Sequence, residues 1–175
     1  MKNYLSIIVL TLIIFPCFAQ ATQIINCYVI KISDGDSFTC LTHHKKMLNI
    51  RLQEIDAPER YQAFGHQARQ QLSQLIFKHH VKLSISGYDR YQRILATVFN
   101  QKGENINLKM VQLGIAWAYN QYTHTTQYIS AQAKAKQQRI GLWVDPHRIS
   151  PGEFRKNRFN HNKFKKQLRQ QKNRD

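Results

Sequence analysis

Met47 to Gln53 (MLNIRLQ) alternates without a break. Met47, Asn49, Arg51 and Gln53 fall on one face, and Leu48, Ile50 and Leu52 on the other. Side chains of a strand project alternately to its two faces, so this period of two predicts a half-buried strand with Arg51 opposite the core. Two further strands precede it. Ile24–Ile32 (IINCYVIKI) is rich in β-branched residues, and Phe38–Thr42 returns after Ser33–Ser37, a turn that contains Asp-Gly. His43–Lys46 is the polar connection to the third strand.

Ala57-Pro58 ends that strand. A helix is predicted from about Phe64 to Lys78, because Phe64, Ala68, Leu72, Leu75 and Ile76 keep to one face. Val81–Ser86 and Ile94–Phe99 read as the fourth and fifth strands, joined by GYDRYQR. Asn107 is the expected N-cap of a short helix that stops near Leu113, with Gly114 as terminator. A short apolar stretch, Ile115–Tyr119, follows. Another helix is expected over Thr126–Arg139, before Gly141-Leu142-Trp143 packs back on the body. Five short strands interrupted by about three helices predict an α+β fold built on a small mixed β-barrel.

The chain has 26 Lys and Arg against 10 Asp and Glu, a net charge of +16. Such a surface favours polyanions: nucleic acid, anionic lipid or anionic polysaccharide. Against that background, Asp34, Asp36, Glu54, Asp56 and Glu59 gather half of the scarce acids beside Arg51. Asp34 suits a turn, and Glu54 a surface ion pair. Asp36, Asp56 and Glu59, at strand ends, are left to explain. Carboxylates are hard oxygen ligands, and three of them without nearby Cys or His suit Ca²⁺ or Mg²⁺ rather than zinc. The pairs His43-His44 and His79-His80 point their neighbouring rings in different directions and read as solvated ends of elements. An arginine beside metal-binding carboxylates matches a phosphate clamp, since the guanidinium fork spans two phosphate oxygens.

The first twenty-one residues read as a signal peptide. Lys2 precedes an apolar run from Tyr4 to Phe15, Pro16 breaks it, and Ala19-Gln20-Ala21 is a small-x-small cleavage site. The run is shorter than the ~20 residues of a spanning helix. The expected product is exported, to the periplasm or beyond, with residues 22–150 as one domain and 151–175 as a basic tail. Export permits a disulfide, and Cys27 and Cys40 flank the SDGDS turn; a cross-strand bridge and two buried thiols are both open readings. From Arg155 to Arg174 the tail carries many Lys and Arg and no acid. It is either a solvated tail or a frayed basic helix, with a capacity for electrostatic contact with anionic surfaces.

VIKISDGDSFTC, IRLQEIDAPE, YDRYQR and the late GLW, in that order, resemble the staphylococcal nuclease (thermonuclease) family. The resemblance covers about Ile25 to Val144. It implies a five-stranded OB-fold barrel with helices packed around it. It also implies Ca²⁺-dependent hydrolysis of the P–O5′ bond in DNA and RNA, leaving 3′-phosphate ends. Position by position, Asp36 and Asp56 match the family's calcium carboxylates, and Ala57 the residue whose backbone carbonyl completes them. Arg51 and Arg93 match the two catalytic arginines, and Glu59 the catalytic glutamate. Two departures stand out: Gln92 occupies a position that is often Gly, and the link from Glu59 to the next helix is short. Tyr91 and Tyr122 either stack on a nucleotide base or cover the barrel.

A nuclease needs positive charge where phosphoryl oxygens gain negative charge, and a base or orienting group for water. The competing reading is a non-catalytic OB-fold module that grips nucleic acid by charge and stacking. The presence of all five expected charged side chains favours the enzyme. No stable protein partner is expected, and the chain is expected to be a monomer.

Overall fold

A computed structural model describes residues 23–119 and 125–172; the expected signal peptide and Tyr122 lie outside them. In chain order the strands are β1 (Gln23–Ile32), β2 (Ser37–Leu41), β3 (Met47–Leu52) and β4 (Ile55–Asp56), followed by helix α1 (Gly65–Ile76). Next come β5 (His80–Tyr88), β6 (Ile94–Phe99), α2 (Ile106–Gln112) and β7 (Trp117–Ala118). Helix α3 (Thr126–Gln137), a 3-10 turn (Gly141–Val144) and α4 (Pro151–Lys172) complete the described chain.

Five strands close a barrel in the order β1-β2-β3-β6-β5. All neighbours are antiparallel except β3 and β6, which run parallel with Ile50 opposite Ile94. The alternation read in MLNIRL holds: Leu48, Ile50 and Leu52 are buried, and Met47 and Asn49 face solvent. Val29, Phe38, Leu83, Ala96 and Val98 share the interior, and α1 lays Ala68, Leu72 and Ile76 on the same core. Burying each Val, Leu, Ile or Phe side chain among these is worth roughly 1.5–3 kcal/mol. This is the mixed five-stranded barrel of an OB-fold, with four α-helices among the described residues.

Cys27 and Cys40 form a disulfide with Cα atoms 5.7 Å apart. Cys40 lies opposite Val29, so the bridge joins β1 and β2 diagonally, on the face that both cysteines bury. The connection between β5 and β6 also differs in extent from the sequence reading. β5 reaches Tyr88 because the ladder shifts register between Ile85 and Gly87, which keeps the two strands paired to the hairpin end.

One cap is assigned differently from the sequence. Asn105, not Asn107, starts α2: its side chain accepts from the Leu108 amide at 3.0 Å. Asn107 is fully buried inside the first turn. Its Oδ1 accepts from Val98 N, and its Nδ2 donates to the Gln53 and Ala96 carbonyls, each at 3.0 Å. The asparagine that reads as a cap is therefore a buried stitch between α2, β6 and the end of β3. Of the two readings of the basic segment after Pro151, the helix is the one found, from Pro151 to Lys172.

Candidate active site

The turn between β1 and β2 is built by Asp34. Its Oδ1 accepts from Ser37 Oγ at 2.6 Å and from the Asp36 amide at 3.2 Å. This is the local hydrogen bonding that makes Asp a turn residue, and it aims the next carboxylate, Asp36, inward. Gly35 permits the approach of α1. A Cβ there would stand 2.6 Å from Ala68 Cβ and 2.7 Å from Ala57 Cβ. The Leu52 amide donates to the Asp36 carbonyl at 2.9 Å, so the turn is clamped to the end of β3.

Arg51 leaves β3 on the face opposite the core, as the alternation requires. Its Nη1 lies 3.0 Å from Asp36 Oδ2, and its Nη2 lies 3.1 Å from Asp56 Oδ1. Nη1 also donates to the Leu52 and Ile55 carbonyls at 3.0 and 3.2 Å. The side chain is only 13% exposed, and its guanidinium thus joins the two buried aspartates. Asp56 is held by a two-residue sheet that the sequence reading did not contain. β4 pairs with β7, Asp56 opposite Trp117. The Ala57 amide donates to Asp36 Oδ2 at 3.1 Å, which closes the loop between the carboxylates.

Glu59 sits where the chain enters α1. Its amide donates to Gln62 Oε1 at 3.1 Å, and its carbonyl accepts from Gln62 N at 2.8 Å. A Cβ on Gly65 would run into the Glu59 carbonyl, so the short link noted in the sequence is a tight turn that begins the helix. Gln62 Nε2 in turn donates to the Ile149 carbonyl at 2.8 Å, tying this loop to the chain that enters α4.

That tie delivers a residue absent from the sequence-based set. Arg155 Nη1 donates to Glu59 Oε1 at 2.7 Å and to Asp56 Oδ1 at 3.2 Å, and its Nη2 donates to Asp56 Oδ2 at 2.9 Å. Burial works against its charge, but its hydrogen bonds to Asp56 and Glu59 hold its pKa above the ordinary arginine value. A signal for it was present in Ser150-Pro151-Gly152-Glu153, a capping-box spacing with Pro at the first helical position. Ser150 Oγ accepts from the Glu153 amide at 3.2 Å, and Arg155 follows within the next turn.

Arg93 belongs to a different arrangement. It ends the loop between β5 and β6, where Asp89 Oδ2 takes both its Nε and its Nη2 at 2.7 Å. Asp89 Oδ1 accepts from the Tyr91 and Arg93 amides at 2.8 and 2.9 Å. Burial raises the Asp89 pKa, yet these hydrogen bonds with Arg93 and Tyr91 outweigh it and leave the carboxyl below its usual range. Gln92 takes φ 61, the left-handed region where glycine is at ease. Tyr91 is 65% exposed, with the Arg90 and Arg93 guanidinium carbons 4.9 and 5.7 Å from its ring centroid. Since Ile94 pairs with Ile50, this loop sets out beside the strand that carries Arg51. Asp36, Arg51, Asp56, Ala57 and Glu59 are therefore brought together, the last through Arg155, while Arg93 is held on the neighbouring hairpin by Asp89.

Burial pushes Asp36 up to about 8; the Arg51 guanidinium pulls against this, and Asp34 and Asp56 add to the rise. Among the described residues no group of three or more His, Cys, Asp or Glu is arranged to hold a metal. The donors that do converge are two carboxylates. A hard cation completes such a set with backbone carbonyls and water, so the oxygen chemistry of Asp36 and Asp56 fits calcium and not a thiophilic metal.

Residues 49–145 match the family model described as staphylococcal nuclease homologue. The chain belongs to the staphylococcal nuclease family. The match contains Arg51, Asp56, Ala57, Glu59 and Arg93. An uncharacterized endonuclease of Haemophilus influenzae is 49% identical over 146 residues, covering 83% of this chain and 82% of the relative. A micrococcal nuclease of Shigella flexneri is 39% identical over 138 residues, covering 73% and 79%. In this staphylococcal nuclease homologue the two aspartates and Arg51 gather where β2 starts and β3 ends.

Proposed function

We propose that this chain is an exported, calcium-dependent nuclease that hydrolyses phosphodiester bonds of DNA and RNA and leaves 3′-phosphate ends. The observation that carries the reading is the Arg51 fork between Asp36 and Asp56, with Glu59 one guanidinium away. The names of the relatives, an endonuclease and a micrococcal nuclease, support the same reaction class.

Asp36, Asp56 and the Ala57 carbonyl would hold the Ca²⁺ ion. Bound there, the ion supplies positive charge to the phosphoryl oxygens and polarises the group toward attack. Arg51 binds a phosphoryl oxygen from the protein side and stabilises charge as it accumulates in the transition state. Arg93 reaches the same phosphate from the hairpin once it exchanges Asp89 for substrate. Glu59 orients water and accepts its proton as the water oxygen bonds to phosphorus. The P–O5′ bond breaks, and the departing O5′ takes up a proton. Exposed Tyr91 offers a face on which a base stacks. The strongly positive surface draws the polyanion in, and the acidic cluster confines the ion to one point of that surface.

Export follows from the leader reading of residues 1–21, and a mature start at Thr22 is expected. Incubation with plasmid and with total RNA, in Ca²⁺ or in EGTA, tests the function on a gel. Loss of both nucleic acids in Ca²⁺ alone is the expected result. Intact but retarded bands would establish a binding module instead, and full turnover in EGTA would remove calcium from the reaction.

A further inference from the structure

Asp56 has both carboxylate oxygens engaged. Oδ1 accepts from Arg51 Nη2 at 3.1 Å and from Arg155 Nη1 at 3.2 Å, and Oδ2 accepts from Arg155 Nη2 at 2.9 Å. Glu59 gives Oε1 to the same Arg155 at 2.7 Å. The two guanidinium groups are not equally secured. Arg51 also binds Asp36 and the Leu52 and Ile55 carbonyls, and its side chain is 13% exposed. Arg155 is 44% exposed, and it extends from the start of a helix whose next turns, through Lys163, lie in solvent.

We propose that Arg155 is a built-in counter-ion, which a divalent cation must displace from Asp56 and Glu59 before the site can work. The proposal rests on the calcium reading of Asp36 and Asp56. A carboxylate oxygen that receives two N–H donors has little lone-pair capacity left for a metal, and a guanidinium at hydrogen-bond range repels the incoming ion. Arg155 is the donor that leaves, because it is the more exposed and has fewer anchors. Its departure frees Glu59 in the same event, so the proposed water-orienting group becomes available only when the cation arrives. The helix root stays in place meanwhile. Ser150 caps its first turn through the Glu153 amide, and Gln62 Nε2 holds the Ile149 carbonyl at 2.8 Å. Release is thus a side-chain event at Arg155 and leaves the attachment of α4 to the body unbroken.

Calcium titrated calorimetrically into the full chain, with no nucleic acid present, tests this. Arg155→Gln removes the competing charge and is expected to bind calcium about tenfold more tightly, a difference of about 1.4 kcal/mol. Arg155→Lys, which keeps one charge but loses the two-pronged grip, is expected to fall between the two. Equal or weaker binding by Arg155→Gln, with its circular dichroism unchanged, overturns the proposal and leaves the calcium site standing. No calcium binding by wild type or variant overturns the calcium reading itself, and this inference with it. A readout on the unaltered protein stands beside the variants. The Arg155 Nη1 and Nη2 groups, which make the carboxylate bonds, are followed by NMR and are expected to lose their carboxylate-bonded shifts as calcium saturates; Arg155 Nη signals that do not move overturn the displacement.

Discussion

Gln92 stores strain in a loop that matters. A non-glycine residue in the left-handed region costs about 1–2 kcal/mol, part of which glycine would return as unfolded-chain entropy. Gln92→Gly is therefore expected to raise stability by up to ~1 kcal/mol, seen as a higher thermal midpoint, with activity retained. Asp89 organises the same loop. Its carboxyl is held below the ordinary value, so its contribution is fully present above about 3.8 and is lost as pH falls through the lower folded value. Acidification through that lower folded value should free the Arg93 side chain, and Asp89→Asn should do so at neutral pH; side-chain NMR of Arg93 reads both. At the chemical centre, Glu59→Gln and Arg93→Ala are each expected to lower kcat by ~10²–10⁴ while circular dichroism stays native. A near-wild-type rate for Arg93→Ala would mean that the Asp89 ion pair is its whole role.

Elements differed in how openly the sequence announced them. The barrel strands were legible from the alternation of Met47–Leu52 and from the β-branched runs of the others, set off by turns such as SDGDS and GYDRYQR; Ile94–Phe99 needed no revision. β4 and β7 were not, since two residues carry no period and form only when Ile55 meets Ala118 across the fold. Asn107 misled because an asparagine ahead of an apolar run looks like a cap whether it faces solvent or, as here, three buried backbone groups. The disulfide was undecidable in sequence, because hairpin register sets whether two cysteines meet. It closes a loop with a sequence separation of 13. Replacing Cys27 and Cys40 by serine is expected to cost about 2–4 kcal/mol, measured by denaturant unfolding with and without reductant. Where β2 starts, a Cβ at position 35 would press on both Ala57 and Ala68.

For the molecule as a unit, the aspartates, Arg51 and Glu59 were legible because local motifs carry them. Arg155 was not, because its partners lie 96 and 99 residues away and are set only by tertiary folding. The same separation complicates the simplest test of the basic helix. A cut at Pro151 would take Arg155 away with the surface cations. Ending the chain after Asn157 keeps Arg155 and removes the later Lys and Arg. That truncation is expected to flatten the dependence of nucleic-acid affinity on salt, by about 0.7–0.9 in log-log slope for each phosphate no longer neutralised. Fluorescence anisotropy across a salt series, in EGTA to prevent cleavage, measures it.

Closure of the barrel also bears on contacts between copies. Among the described residues every barrel strand has a bonded neighbour on both sides, β1 between β2 and β5 and β6 between β3 and β5, so the cylinder leaves no barrel strand with a wholly unpaired side as a template for another chain. The high net positive charge opposes crowding between copies, and concentrated stocks should stay clear longest in dilute buffer, where that repulsion is least screened.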